Sequence, residues 1–291
     1  MKFKKLTILF AAFLITANFA YTSYAKEVIA PTTNPEIATR LEDMTNETIM
    51  TMELCQTYYE TLSDNDKDLY ELIGKLVTHY AETSENPYLQ TNYVFTEDYN
   101  QKLLDIAHMY LYDHPEYGVF WEGGLSIKNQ TQIKLNITNT TDTMISDQFY
   151  ADYLNSLNIE PVSDYYIAYR LFTILSGEIK YDFSQGTIDG VEKPHWNDDY
   201  AALLQKESCC QGISFAYKRL CEAANIPCVV ITCYTETQTY HMLNAIFING
   251  SWKFCDLTGS VCFPDNMEPY WQISKSDFPS VAHELRYIPT M

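Results

Sequence analysis

The spacing of apolar residues predicts that the first half of the chain is mainly helical. Apolar positions recur three and four residues apart over 37–61, 64–84 and 96–112, as they do along one face of an amphipathic helix. Ser63 and Thr96 stand at the start of the second and third runs, where a hydroxyl group can cap the first N–H groups of a helix. We therefore expect a helical N-terminal region.

Short strands are expected after this region. Two or three of them are predicted across Val119–Thr138, with turn signals at Gly123-Gly124 and Asn129. Helical spacing returns over 144–157 and 163–176. These elements lead into a C-terminal part in which a helix precedes a pair of strands.

The pair of strands is predicted from Asn249-Gly250, which lies between two alternating apolar runs. This dipeptide is typical of a two-residue type I′ turn. Counting outward from the turn gives the expected facing pairs Ile248 and Ser251, Phe247 and Trp252, Ala245 and Phe254, Leu243 and Asp256, and His241 and Thr258. This register puts His241 and Asp256 on one face, roughly 5 to 8 Å apart at Cβ. The carboxylate can then reach the imidazole, unless a bulge shifts the register.

The preceding helix is predicted to begin at a cysteine. Ser208 is the expected N-cap, and Asn225-Ile226-Pro227 the expected end of the helix. Cys210 then lies in the first turn, where free N–H groups and the helix dipole favour a thiolate. The same N–H groups could bind an oxyanion. Cys209 competes for the role of nucleophile, but adjacent helical residues point about 100° apart, so only one of the two can face His241.

These residues resemble the core of the transglutaminase-like superfamily. The family pattern is Cys-x-Gly at a helix start, His-x-x-Asn on a strand, and Trp-x-x-x-Asp-x-Thr on the next strand. The corresponding segments here are Cys210-Gln211-Gly212, His241-Met242-Leu243-Asn244 and Trp252-Lys253-Phe254-Cys255-Asp256-Leu257-Thr258. The resemblance covers residues 165–265 and selects Cys210 over Cys209. It implies an α+β, papain-like fold, with a helix packed on an antiparallel sheet, and a catalytic triad of Cys210, His241 and Asp256.

The chain departs from the family pattern at three places. Asn225 stands where Gly is frequent, Met242-Leu243 where Ala-Trp is frequent, and Gly259 where Trp is frequent. These changes keep the three reactive side chains but remove aromatic walls beside them, so the reaction is better defined than the substrate. The side chain that would help to bind the oxyanion is left open among Gln205, Trp196 and Tyr181.

The N-terminus predicts an exported protein. Met1–Ala25 combines three lysines, an apolar run and a small-x-small cleavage site, which together are typical of a signal peptide. We expect a disordered linker over 26–35, an N-terminal helical region with short strands over 36–140, and a transglutaminase-like core over 141–291. No later apolar run reaches the roughly 20 residues of a membrane span. The expected location is therefore extracellular or at the cell surface.

Acidic residues greatly outnumber basic ones. The full chain has a formal net charge of −19, and removal of Met1–Ala25 would leave 16 basic and 38 acidic residues, or −22. This charge argues against nucleic acid and anionic lipid as partners.

Seven of the eight cysteines lie between Cys209 and Cys262, and Cys55 stands apart. Four of the seven fall on positions expected to face a core: Cys221, Cys228, Cys233 and Cys255. We expect buried thiols rather than a framework of disulfides. No Cys-x-x-Cys pair or cluster of histidines is present, so we expect no metal and no cofactor.

The sequence thus predicts a secreted thiol enzyme that transfers an acyl group from a glutamine carboxamide or a peptide carbonyl through a thioester on Cys210. The expected partner is a protein or peptide substrate. Two alternatives stay open at this point: a cysteine peptidase or amidase of the same fold, and an inactive surface binding module. Incorporation of an amine into a protein would distinguish the acyltransferase from the peptidase or amidase. An ordinary reactivity of the Cys210 thiol would favour the binding module.

Overall fold

The computed structural model describes residues 57–184, 186–188, 191–235 and 239–273 and the strand at 284–287. The expected signal peptide and linker lie outside the described residues, as do Cys55 and most of the expected helix 37–61. The described end of that helix is a short 3-10 turn, Tyr59–Thr61, rather than an α-helix.

The N-terminal region combines two α-helices and three strands. Its elements are α1 (Asp64–Thr83), β1 (Leu89–Gln90), α2 (Glu97–Asp113), β2 (Trp121–Lys128) and β3 (Gln132–Ile137). The Ser63 hydroxyl caps α1 by accepting a hydrogen bond from Asp66 N–H, as expected, whereas Thr96 precedes α2 without a side-chain cap. The expected turn at Gly123-Gly124 is wrong, because these residues form an irregularity inside β2. The turn between β2 and β3 is at Asn129, as expected.

Helices and short strands lead from this region to the main sheet. In chain order they are α3 (Asp147–Ser156), α4 (Asp164–Glu178), β4 (Lys180–Tyr181), β5 (Thr187–Ile188), β6 (Val191–Glu192), a π-helix (Ala201–Gln205) and β7 (Glu207–Ser208). Ser146 and Ser163 cap α3 and α4 through their hydroxyl groups. Both helices confirm the prediction from apolar spacing, with shifts of up to three residues at their ends.

One helix packs on an antiparallel sheet in the C-terminal part. The remaining elements are α5 (Cys210–Ala223), β8 (Cys228–Tyr234), β9 (Tyr240–Ile248), β10 (Ser251–Cys255), α6 (Leu257–Cys262) and β11 (Glu284–Tyr287). The strand order of the sheet is β10-β9-β8-β11, and every neighbouring pair is antiparallel. Asn225 takes the expected left-handed conformation, with φ 58°, just after α5. The chain therefore has the expected α+β architecture, in which a helix rests on an antiparallel sheet.

The N-terminal region packs directly against the elements that carry the candidate site. The Tyr58 hydroxyl donates a hydrogen bond to the Val230 carbonyl of β8 at 2.7 Å. The hydroxyls of Tyr112 in α2 and Tyr240 in β9 are 2.9 Å apart. Tyr58 and Tyr112 belong to the same hydrophobic cluster as Cys210. The division at residue 140 stays a prediction, but the two parts share this cluster.

A buried ion pair fixes the segment that precedes the π-helix. The Asp199 carboxylate is fully buried and accepts hydrogen bonds from Arg219 at 2.7 Å and from the Tyr150 hydroxyl at 2.6 Å. Arg219 belongs to α5, and its second nitrogen donates to the Ile145 carbonyl at 2.8 Å. These bonds offset the cost of burying two charges. They attach the loop around Asp199 to the body of α5.

Candidate active site

The predicted hairpin forms, but it ends earlier than expected. Asn249 and Gly250 have φ of 53° and 75°, as a type I′ turn requires. The register holds from the pair of Ile248 and Ser251 to the pair of Asn244 and Cys255.

The pairs expected beyond that point are wrong. Leu243 does not pair with Asp256, nor His241 with Thr258, because Asp256 leaves the strand to become the N-cap of α6. Its Oδ1 accepts the Gly259 N–H at 3.0 Å. An aspartate can serve as a strand residue or as a cap, and here the cap is formed. Thr258 accordingly lies in α6.

Asp256 reaches His241 even though it is not in the strand. His241 Nε2 and Asp256 Oδ2 are 3.0 Å apart, and only 13% and 6% of the two side chains is exposed. The other carboxylate oxygen is held by Gly259 N–H, so both oxygens have fixed partners. Since Nε2 faces Asp256, the Nδ1 atom of the ring is left for Cys210.

The start of α5 differs from the prediction by one residue. Cys209, not Ser208, is the N-cap, and Cys210 is the first helical residue. Ser208 belongs to β7, where it pairs with Tyr181. Its hydroxyl donates to the Trp196 carbonyl at 2.9 Å, and Cys209 N–H donates to the same carbonyl at 3.1 Å. The expectation that Cys210 lies in the first turn is confirmed.

The glycine of the Cys-x-Gly pattern is required by close packing. A side chain on Gly212 would overlap with the Ser208 hydroxyl and with the Asp198 carbonyl oxygen. Both atoms belong to segments that hold the start of α5 in place. Only glycine lets the helix approach them so closely.

Sequence reasoning missed a buried network that supports this packing. His195 Nδ1 lies 2.6 Å from Asp198 Oδ2, and His195 Nε2 lies 3.1 Å from the Thr143 hydroxyl. The second Asp198 oxygen accepts Ala201 N–H at 2.8 Å. The network fixes the Asp198 backbone, whose carbonyl lies against Gly212. The available signal was Asp198, an acidic residue just before the helical run that begins at Ala201, since such residues often cap the first N–H groups of a helix.

The asparagine of the His-x-x-Asn pattern joins the sheet to the helix. Asn244 is fully buried, and its Nδ2 donates a hydrogen bond to the Ser214 carbonyl of α5 at 3.1 Å. This bond fixes β9 relative to α5. The distance between the strand that carries His241 and the helix that carries Cys210 is thereby set.

The surroundings of His241 favour its protonated form. Burial alone would lower the pKa of the ring, but the charge and hydrogen bond of Asp256 and the contact with Cys210 act in the opposite direction. Together they raise the pKa of His241 to about 10. An imidazolium is therefore expected at neutral pH.

The surroundings of Cys210 favour its ionised form. The hydrogen bond from the Cys209 thiol lowers the pKa of Cys210 most. Burial opposes ionisation, but the hydrogen bond and charge of His241 and the N–H of Met242 lower the pKa further, so that it lies well below its usual range. These influences favour a thiolate on Cys210 beside an imidazolium on His241.

The end of β10 explains why Met242 N–H is available. Two-residue hairpins begin with a hydrogen-bonded pair, here Ile248 and Ser251, and alternate residues of β9 then direct their N–H toward β10. Met242 is one of these residues. Because β10 stops at Cys255, opposite Asn244, no residue of the ladder meets Met242 N–H. It points to the Cys210 sulfur instead.

The other cysteines have a different character. All seven described cysteines are free, and the four expected in the core are buried. The neighbouring thiolate of Cys210, followed by burial, raises the pKa of Cys209. Burial raises the pKa of three core thiols and of Cys262, the set being Cys228, Cys233, Cys255 and Cys262. The contrast favours Cys210 as the reactive cysteine.

The three side chains considered for the oxyanion lie in different surroundings. Gln205 is exposed on the π-helix. The Trp196 indole lies against Gly186, so closely that a β-carbon there would be 2.7 Å from the ring. Tyr181 belongs to β4, next to the start of α5.

Replacing Gly212 by alanine is expected to reduce the rate of Cys210 alkylation and to destabilise the fold by about 1 to 3 kcal/mol, because the added carbon has no room. Thermal unfolding and alkylation at pH 6 measure the two effects. Gly177→Ala in α4 is the matched control, since nothing lies within 4 Å of the added carbon. Equal behaviour of the two variants would contradict the packing argument.

Comparisons with known proteins gave matches among solved structures only. Neither protein families nor curated proteins gave a match. A structure described as a TGase is 14% identical with a TM-score of 0.33, and the match covers 47% of this chain and 43% of that one. A candidate cysteine protease from Cytophaga hutchinsonii is 18% identical with a TM-score of 0.31, covering 38% and 37%.

The periplasmic domain of TgpA from Pseudomonas aeruginosa, bound to ethylmercury, is 12% identical with a TM-score of 0.29, and the match covers 50% of this chain and 65% of that domain. The chain thus spans less than two thirds of the length of each of these structures. None of the helices in the described part of the chain has the length and hydropathy that crossing a bilayer requires. The chain is similar, over part of its length, to transglutaminase-like and cysteine protease structures.

Proposed function

We propose that the protein is a secreted thiol enzyme that transfers an acyl group from a glutamine carboxamide or a peptide carbonyl. The observation that carries the proposal is the contact of Cys210 with His241, whose ring is held by Asp256 at 3.0 Å. A thiolate beside an imidazolium is an activated nucleophile next to a general acid. Secretion is supported by the signal-like segment Met1–Ala25, and the N-terminal sequence of the exported protein tests it.

The proposed reaction has two halves. The Cys210 thiolate adds to the carbonyl carbon, and the C=O electron pair moves to oxygen. When the intermediate collapses, the C–N bond breaks and His241 gives its proton to the departing nitrogen. A thioester remains on Cys210. In the second half His241 takes a proton from an amine or from water, which attacks the thioester and releases the thiolate.

The role of Asp256 follows from its contacts. Its carboxylate accepts the hydrogen bond from Nε2, so that Nδ1 faces the sulfur. It also stabilises the imidazolium through its charge, as the raised pKa of His241 indicates. The proton that the leaving group needs is therefore present over the neutral pH range.

Amine incorporation tests the proposal. A labelled primary amine and a glutamine-bearing protein are incubated with the enzyme, and the label and any released ammonia are both measured. We expect a Cys210-dependent product, which is labelled protein if an amine resolves the thioester, and ammonia or peptide fragments if water does. Cys210→Ala should abolish all three products. Cys262→Ala is the control, because its thiol is held in the protonated form.

The outcome also distinguishes the reactions that share this mechanism. Labelled protein indicates a crosslinking acyltransferase, ammonia alone a deamidase or amidase, and fragments a peptidase. Products that persist in Cys210→Ala, or the absence of any product together with an ordinary thiol reactivity of Cys210, would contradict the proposal. The absence of any product, together with an ordinary reactivity of the Cys210 thiol, would favour a binding module.

A further inference from the structure

One face of the N-terminal sheet carries polar side chains without a carboxylate at its paired positions. The strand order is β1-β3-β2, and across β2 and β3 Ser126 pairs with Lys134 and Lys128 with Gln132. Gln132 also pairs with Gln90 of β1. Since side chains alternate between the two sides of a strand, these five side chains lie on the same face of the sheet.

The opposite face of this sheet packs on the helices. Ile133 and Leu135, which alternate with the polar positions of β3, are buried in the hydrophobic cluster that also contains residues of α1 and α2. Leu125 and Ile127 of β2 pack against the same cluster. The polar face is therefore the side of the sheet that points away from α1 and α2.

An exposed aromatic ring lies close to both lysines of the polar face. Tyr88 directly precedes β1, and 41% of it is exposed. The Nζ atoms of Lys128 and Lys134 are 5.2 Å and 5.6 Å from the centroid of its ring, within the range of a cation–π interaction. Neither amine forms an ion pair within the described part of the chain. Two positive charges thus share one ring, although the chain has a formal net charge of −19.

Protection of the sheet edge does not account for both lysines. A lysine on an edge strand hinders pairing with another sheet, and Lys128 on β2 fits this role. Lys134, however, lies on the central strand β3 and is half-buried. An anion that binds both amines would offset the repulsion between them.

We infer that this face of the sheet binds an acidic polysaccharide. The two amines pair with its carboxylate or sulfate groups, the amide and hydroxyl side chains form hydrogen bonds with its sugar hydroxyls, and the aromatic ring contacts the apolar side of a sugar ring. The negative charge elsewhere on the protein is screened beyond about 8 Å at physiological ionic strength, so it does not cancel this local attraction. Six residues form this polar sheet face: Tyr88, Gln90, Ser126, Lys128, Gln132 and Lys134.

Calorimetric titration of the full chain tests the inference with four polymers. We expect polygalacturonate, dextran sulfate or both to bind, which also shows whether carboxylate or sulfate is preferred, and we expect neutral dextran not to bind. Poly-L-glutamate carries carboxylates on a peptide backbone without sugar rings. It should bind at least about fivefold more weakly than the better polysaccharide, because it offers no sugar to the ring and the amides.

Variants of the polar sheet face show where the polymer binds. Lys128→Gln with Lys134→Gln should lower the affinity at least about 10-fold, because charge-assisted hydrogen bonds are lost, and Tyr88→Ala should lower it about fivefold. The matched control is Lys67→Gln with Lys75→Gln. It removes the same charge from α1, where Lys67 also lies over a tyrosine ring, at 5.3 Å, and it should leave the affinity unchanged. Thermal unfolding checks that each variant keeps its fold.

Several outcomes would overturn the inference. They are no binding of either acidic polysaccharide, an equal affinity for poly-L-glutamate or for dextran, and an affinity that Lys128→Gln with Lys134→Gln leaves unchanged. The binding does not depend on the proposed function, because the polar sheet face shares no residue with the Cys210 site. Cys210→Ala should therefore bind the polysaccharide as the unmodified enzyme does, and a loss of binding in this variant would also contradict the inference.

Discussion

Replacing His241 by alanine is expected to lower kcat/KM for acylation by at least about 10³-fold, since the variant loses both the general acid and the positive charge that helps to keep Cys210 ionised. The two losses act together, because the thiolate and the imidazolium form one pair. Without the ring, its charge and hydrogen bond no longer lower the pKa of Cys210, whereas the burial that raises this pKa and the Cys209 hydrogen bond that lowers it both stay. Steady-state turnover of a glutamine peptide measures the effect.

The control for this variant is His79→Ala. His79 lies on α1, its side chain is 42% exposed, and it is not among the groups that affect the pKa of Cys210 most. Its replacement should leave turnover unchanged. A His241→Ala enzyme with turnover within about 10-fold of the original would show that the ring neither activates the sulfur nor protonates the leaving group.

Replacing Asp256 by asparagine is expected to lower kcat by about 10⁴-fold while the fold is kept. Asparagine caps a helix as well as aspartate does, so the bond to Gly259 N–H can persist and α6 should not unravel. The change removes the negative charge that overcomes burial and raises the pKa of His241 to about 10. The imidazolium should then lose its proton at a lower pH, so the alkaline limb of the activity profile should move to lower pH.

Turnover measured across pH, together with thermal unfolding, tests this expectation. Asp142→Asn is the matched control, because Asp142 is exposed and distant in the chain from the site. Loss of activity accompanied by an equal loss of stability would point to a structural role of Asp256 in α6. Unchanged activity and an unchanged alkaline limb would mean that the carboxylate does not act through His241.

The hairpin shows which parts of the site the sequence could predict. Asn249-Gly250 and the alternation beside it were sufficient for the turn and for the pairs up to Cys255, because turn type and register are local properties. The contact between His241 and Asp256 was also expected, although it forms by a different route. Asp256 could continue the strand or cap α6, and alternation alone cannot distinguish these outcomes.

The start of α5 shows the same limit. A serine and a cysteine both precede Cys210, and the hydroxyl of Ser208 was the better cap by residue type. It is used elsewhere, because β7 pairs with β4 and the hydroxyl bonds the Trp196 carbonyl. That pairing joins segments far apart in the chain and leaves no local signal.

Contacts between residues that are far apart in the chain could not be predicted from the sequence for the same reason. The hydroxyls of Tyr112 and Tyr240 meet across 128 positions. Thr143 reaches His195 across 52 positions. Apolar spacing predicts which face of a helix is buried, but it does not say what covers that face. The packing of the N-terminal helices beside Cys210 therefore became visible only in the structure.

The pH dependence of Cys210 alkylation tests the thiolate and imidazolium pair most directly. Rates with iodoacetamide are measured from pH 4 to pH 10 in the unmodified enzyme and in His241→Ala, and peptide mapping assigns the label to Cys210 or Cys209. We expect rapid labelling of Cys210 at pH 6 in the unmodified enzyme, and a profile in His241→Ala that moves to higher pH, toward the ordinary thiol pKa of about 8.5, because the imidazolium no longer lowers the pKa of Cys210. Identical profiles that both rise near that value, or labelling of Cys209 instead, would contradict the account.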